Sequence, residues 1–320
     1  MKGSLLVLVS TLLAPRIASV ESSVDETGSI SDFTLLFISL ILSKTQYLLG
    51  YFPTLIEGTI LLPLPPRNLM FMADRAGYLE YLHLGVGNFK MLSEFGLNLN
   101  RKDAHLLDMG SGYGRLAAGI LLSDIGGEFK GNYTGMDILK RHVTWCRSFY
   151  HKLYPGKINF IHMDVYNSRY NPTGSIQPNI YKIPVSAQSY TFVSLFSVFT
   201  HMHQEEILHY LKEFTRVLKP GGKVVATVFL YNKERMKRAI ESGYGAFEFN
   251  EHTRIKDKKD PLFAIVYDEE WFIENIIKKS GLNVEKIIYG TAIGDPADRN
   301  SKLYGKKYPH LFQDLIVLQL

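Results

Sequence analysis

LLDMGSGYGRLA, residues 106–117, decides the fold: an apolar run ends in an acid, meets glycines at 110, 112 and 114, and passes into helical spacing. Upstream, residues 104–109 are apolar apart from His105 and Asp108, as in a strand buried on both faces of a parallel sheet. Downstream, Leu116, Ala117, Ile120 and Leu121 share one helical face. Glycine enters left-handed backbone conformations and lets main chain approach a ligand closely. The stretch reads as strand, tight turn, helix, and the turn is expected to present free backbone N–H groups to something polar or anionic. Close packing of helix on strand explains the glycines equally well from this stretch alone.

The rest of the chain repeats the alternation. Strand patterns recur at residues 132–137, 158–163, 190–196, 224–229, 284–289 and 315–320, with helical patterns at 139–153, 204–218 and 269–280. Strands alternating with helices of this length imply βαβ units in a parallel sheet. The helix from Gln204 carries Ile207, Leu208, Leu211, Phe214 and Leu218 on one face and is stopped by Pro220-Gly221-Gly222. Little between the last two strands looks helical, so the final strand is expected to run antiparallel, near a sheet edge.

Composition narrows the class. The chain has 320 residues, 46% of them hydrophobic and 21% charged, enough for one large α/β domain plus an extension. Its net charge of +5 is dispersed in mixed runs such as RIKDKKD, residues 254–260; no basic–aromatic stripe points to nucleic acid. The single cysteine, Cys146, precludes internal disulfides and suits a reducing, cytoplasmic setting. It shares a helical face with Val143, Phe149 and Tyr150, which suits a small buried apolar role. Residues 1–66 form a hydrophobic extension ending in Leu64-Pro65-Pro66. It reads as a signal or membrane anchor, an amphipathic helical cap or an over-extended start, with weak membrane association as one consequence. The domain proper then runs from 67 to 320, with a helical cap at 69–95 and an insertion at 231–267.

Ligands of open α/β sheets sit beyond the carboxyl ends of the strands. Asp108, Asp137 and Asp164 end the first three strands here. An acid after the second strand suits a nucleoside, whose ribose hydroxyls donate to a carboxylate. Gly114 follows Gly112 by two residues, where a dinucleotide fingerprint wants three. A nicotinamide-dependent oxidoreductase is thus the weaker enzyme reading, and a non-catalytic binding protein on the same fold is the alternative from another class. No metal-ligand motif is visible.

These segments together resemble the class I S-adenosylmethionine-dependent methyltransferases. LLDMGSGYGRLA is similar to that family's glycine motif, YTGMDI (133–138) to its ribose acid, and FIHMDVYN (160–167) to its adenine-reading segment. FVSLFSVFTHM (192–202) resembles the strand and loop beside the methyl donor, and RVLKPGGKVV (216–225) the turn and strand after the next helix. The resemblance spans about residues 70–320. It implies a Rossmann-like, doubly wound, mostly parallel sheet with an antiparallel C-terminal edge strand, and S-adenosyl-L-methionine as cofactor.

By the same resemblance, backbone at Gly110, Ser111 and Gly112 approaches the methionine portion, with Asp108 helping to hold its amino group. Asp137 takes the ribose hydroxyls and Ile138 lies on the adenine face. Asp164 accepts from the adenine amino group, Val165 offers backbone, and the carbonyl of Phe196 receives the ammonium. Gly114 serves helix packing. His201, on the loop beside the methyl group, is the candidate general base, with His203 second. The aromatics of 71–95 and 247–267 are expected to shape the acceptor pocket, and Tyr78 and Tyr81 to face the sulfonium. No Asn/Asp-Pro-Pro-aromatic motif follows the fourth strand, so the expected acceptor is a small molecule or a glycan, methylated on oxygen or nitrogen, rather than a nucleic-acid base.

Overall fold

The computed structural model describes residues 62–70, 78–123, 129–241, 247–248, 250–292 and 311–320. The expectations placed on residues 1–61 and on Phe71 lie outside them, as do those on the side chains of Tyr78 and Phe247. Within the unit Pro65–Leu320, helix α1 (Arg67–Met70) and helix α2 (Tyr78–Glu94) precede β1 (His105–Met109). Then come α3 (Arg115–Ser123), β2 (Asn132–Asp137), α4 (Lys140–Ser148), α5 (Tyr150–Leu153), β3 (Ile158–His162) and β4 (Tyr190–Leu195). Helix α6 (Gln204–Val217) leads into β5 (Leu218–Val228). The insertion holds β6 (Leu230–Tyr231), α7 (Lys233–Glu241), β7 (Phe247–Glu248), β8 (Thr253–Ile255) and β9 (Ile265–Asp268). Helix α8 (Glu269–Phe272) continues through a π turn, and β10 (Asn283–Ile288) and β11 (Asp314–Gln319) close the chain.

The main sheet has seven strands in the order β10-β11-β5-β4-β1-β2-β3. Every pairing from β5 to β3 is parallel, while β11 runs antiparallel to both β5 and β10. The reversed strand is therefore one place in from the edge, and β10 is the edge itself. The order reverses at β1, whose neighbours are β2 and β4, and a crevice opens at such a switch point. Strands buried on both faces supply the core: Leu106, Leu107, Val193, Leu195, Val224, Val225, Ile316 and Val317 are all inaccessible to solvent. Helix α6 seals one flank with Ile207, Leu211, Phe214 and Val217, and begins where the Glu206 carboxylate accepts the His203 backbone N–H at 2.8 Å.

Three local differences from the sequence reading have physical causes. The helical pattern of 139–153 breaks at Phe149, where φ −120° and ψ −72° divide α4 from α5; the break coincides with Tyr150 being drawn inward to bond Tyr81. The insertion holds strands that the sequence pattern does not announce, β6-β9-β8-β7, which form a second sheet. Of the cap expected at 69–95, residues 78–95 are not among those that line the ligand crevice. Helix α2 instead crosses α3 at Gly85 and Gly119, where a β-carbon on Gly119 would stand 2.0 Å from the Gly85 backbone. Tyr81 is wholly buried there, its hydroxyl 2.8 Å from that of Tyr150, so it does not face a sulfonium. Among the described residues no helix is long and apolar enough to cross a membrane.

Candidate functional site

A cavity of about 680 Å³ opens at the carboxyl ends of β1 to β5, a size suited to a small ligand. Gly110, Ser111 and Gly112 after β1, Asp137 and Ile138 at the end of β2, Val165 after β3, and Phe196 after β4 all line it, as does His201. The topology thus gathers eight of the residues singled out in the sequence around one cavity. Asp108 and Asp164 do not line it.

The glycine turn differs from expectation in what it offers. The N–H groups of Gly110 and Ser111 both donate to the Met136 carbonyl, at 2.7 and 3.0 Å. That of Gly112 donates to Asp137 Oδ2 at 2.7 Å. The turn is pinned to β2 with these donors spent, so it is no cradle for phosphate. Gly112 has φ +54° and no atom within 4 Å of where a β-carbon would stand, whereas at Gly114, with φ +82°, that carbon would meet the Tyr150 ring at 2.6 Å. One glycine borders open space and the other permits packing.

Asp137 is 6% exposed and holds the Leu139 N–H on Oδ1 at 2.7 Å, besides the Gly112 N–H. Burial raises its pKa, opposed by those N–H groups and by nearby His142. Each oxygen keeps a further lone pair for a ligand donor. Ser111 Oγ, also buried at this end, has no hydrogen-bond partner in the protein. A carboxylate acceptor, an unpaired hydroxyl and the apolar side chains of Ile138, Leu139 and Val165 together fit a nucleoside.

The other two acids are placed differently. Asp108 points into the protein, where Oδ2 accepts from the Tyr133 hydroxyl at 2.7 Å and Oδ1 from Ser194 Oγ at 2.9 Å. Burial pushes its pKa up to about 6, against the pull of both hydroxyls. It braces the strands behind the turn instead of reaching a ligand's amino group. Asp164 is exposed, and its Oδ2 accepts from Ser175 Oγ at 2.5 Å; it stands outside the cavity lining.

The far half of the cavity belongs to residues after β3, after β4 and in the insertion. His201 lies in a short helical turn, with Nδ1 2.8 Å from the Leu262 carbonyl and Nε2 3.4 Å from the Tyr170 hydroxyl. A carbonyl only accepts, so Nδ1 carries the proton and Nε2 is the basic nitrogen. Burial lowers the pKa of the ring; the Leu262 contact opposes this and Arg169 adds to it. His201 is consequently neutral near pH 7. His203 lies outside the cavity wall and serves as the N-cap of α6. Arg169 pairs with Asp260 and spans the rings of Phe263 and Tyr170 at 5.1 and 5.4 Å. Ser197 holds φ +59°, a left-handed conformation that costs a residue with a β-carbon, and its N–H is fixed by Thr227 Oγ1 at 2.7 Å.

Arg169, Tyr170, Ser197 and Gln313 line this half although the sequence did not single them out. The only signal for Arg169 and Tyr170 was position after the third strand, in YNSRY, residues 166–170. Gln313 reaches the site solely because β11 lies beside β5.

Comparison with known proteins gives one family match, a family described as "Methyltransferase domain", over residues 82–260, more than half of the chain. Solved structures with a similar fold include a SAM-dependent methyltransferase from Aquifex aeolicus, 19% identical, with 80% of this chain and 98% of that one covered and a TM-score of 0.44. SAM-dependent methyltransferases from Methanosarcina mazei (17% identity, 68% and 93% covered, TM-score 0.42) and Leishmania major (12% identity, 74% and 72% covered, TM-score 0.44) are similar in the same way. At such identities and TM-scores these structures assign no residue a role.

Proposed function

Because this chain belongs to the methyltransferase-domain family, with S-adenosyl-L-methionine the expected cofactor, we propose that its cavity methylates a small-molecule or glycan acceptor on oxygen or nitrogen. The observation that carries this reading is the spent glycine turn. With the N–H groups of 110–112 bound to Met136 and Asp137, nothing there welcomes a pyrophosphate, while the Asp137 carboxylate favours a ligand that brings hydroxyls or positive charge. That also counts against a nicotinamide dinucleotide.

Asp137 would hold the ribose, Ile138 and Val165 the adenine, and the backbone of 110–112 with the Phe196 carbonyl the methionine end. S-adenosyl-L-methionine supplies, when bound, a methyl group on a positively charged sulfur that is already a good leaving group. The protein's remaining task is alignment, which by itself is worth several kcal/mol of barrier, together with proton removal where the acceptor is a hydroxyl. His201, on the cavity wall, would be the neutral base for that proton through Nε2, which lies 3.4 Å from the Tyr170 hydroxyl, while Nδ1–H bonded to Leu262 fixes the ring. Tyr170, Phe263 and the insertion would line the acceptor side.

His201→Ala tests the assignment. Affinity for S-adenosylhomocysteine should stay within about twofold, while donor turnover over a panel of hydroxylated small molecules falls by about 10²-fold or more. Unchanged turnover on an accepted substrate removes His201 from the chemistry.

A further inference from the structure

Beside Asp137, a second buried side chain on the cavity wall has an unused acceptor. His142 is 8% exposed, and its Nδ1 has no hydrogen-bond partner in the protein. The ring is well fixed. Nε2 lies 3.2 Å from the Leu69 carbonyl, and the imidazole stands edge-on to Tyr113 with centroids 5.4 Å apart and planes at 87°. Since the Leu69 carbonyl can only accept, the proton sits on Nε2. Burial disfavours a second proton on this ring, so Nδ1 is a lone-pair acceptor. An acceptor buried without a donor is a standing cost to the folded chain, one that a ligand can relieve.

The neighbour decides which ligand group fits. Asp137 is also acceptor-only, its charge close enough to perturb His142. Two acceptors lining the same cavity disfavour phosphate and suit neighbouring hydroxyls, each with a proton to donate. We infer that His142 is a cofactor-binding residue, its Nδ1 accepting from one hydroxyl of the cofactor's ribose while Asp137 takes the other. This rests on the cofactor reading above. Nothing in the sequence motifs marks His142, because its position in the first turn of α4 is ordinary for a polar surface residue until the fold closes over it.

Two amide substitutions separate this role from a structural one. Asparagine can present its side-chain oxygen near the place of Nδ1 but cannot reach Leu69; glutamine can replace the Nε2 bond to Leu69 but leaves no acceptor at Nδ1. Titration calorimetry with S-adenosylhomocysteine should find His142→Asn within about twofold of wild type and His142→Gln weaker by roughly five- to tenfold. Asp137→Ala serves as the reference that loses binding. Wild-type affinity in the Gln variant overturns the inference, as do equal losses in both variants, which would make the ring a structural tie. If the wild-type chain does not bind, or Asp137→Ala binds as well, the cofactor reading itself fails.

Discussion

At the scale of single residues, three similar acids at strand ends have diverged through their surroundings. Asp137 stays at the cavity because two backbone N–H groups hold it there. Asp108 is drawn away by register: Ser194 is its direct partner on β4, and Tyr133, paired with Leu106 on β2, reaches diagonally to it. That an acid stands at position 108 was plain in the sequence; that its oxygens are consumed was not, since the partners come from strands 25 and 86 residues on. The consequence is measurable as pH dependence. A carboxyl raised from 3.8 to about 6 in the folded chain stabilises it fully at pH values below 3.8, and this contribution is lost as pH rises through about 6. Above that, folding buries a charge. Asp108→Asn abolishes this titration, so its stability relative to wild type, from urea unfolding, should rise by roughly 2 kcal/mol between about pH 4 and pH 7. A difference that stays flat over the window contradicts the buried-acid account.

At the scale of elements, all seven main-sheet strands could be read from apolar runs and turn residues, most of them because strands buried on both faces leave a near-continuous apolar pattern, while the edge strand β10, exposed at Asn283, Glu285 and Lys286, is marked only by Val284, Ile287 and Ile288. The second sheet could not. Strands such as Leu230–Tyr231 and Phe247–Glu248 are two residues long, below the length at which alternation is detectable. One side chain joins the insertion to the C-terminal strand: Asp314, 1% exposed, accepts from Arg235 of α7 at 2.8 Å, from the Leu230 N–H at 2.7 Å and from the Gly290 N–H at 2.8 Å. Arg235 also lies over the Tyr289 ring at 4.3 Å. Breaking one side of a buried pair strands the other charge. Arg235→Met should cost about 3 kcal/mol in urea unfolding; a loss below about 0.5 kcal/mol would show that the two backbone N–H groups suffice to hold Asp314.

At the scale of the whole molecule, the reversal of strand order at β1 sets the position of everything functional. The carboxyl ends of β1, β2 and β3 line one part of the cavity, the proposed nucleoside side, and the loops after β3 and β4 with the insertion line the rest, the proposed acceptor side. Phe263 and Phe312, 49% and 50% exposed, stand among the lining residues and leave apolar surface for an acceptor. Identification of the cofactor side depends on motifs in strand order, which the sequence contains. The acceptor side depends on which parts of a long insertion fold back over the sheet, which local patterns do not encode. The central claim is that the glycine turn and Asp137 form a nucleoside site for a sulfonium donor and not for a dinucleotide. Titration calorimetry of the full chain with S-adenosylhomocysteine and, separately, with NAD tests it most directly. The account predicts saturable binding of the first, weakened by at least about 10-fold in Asp137→Ala, and none of the second; NAD binding with no response to S-adenosylhomocysteine would contradict it.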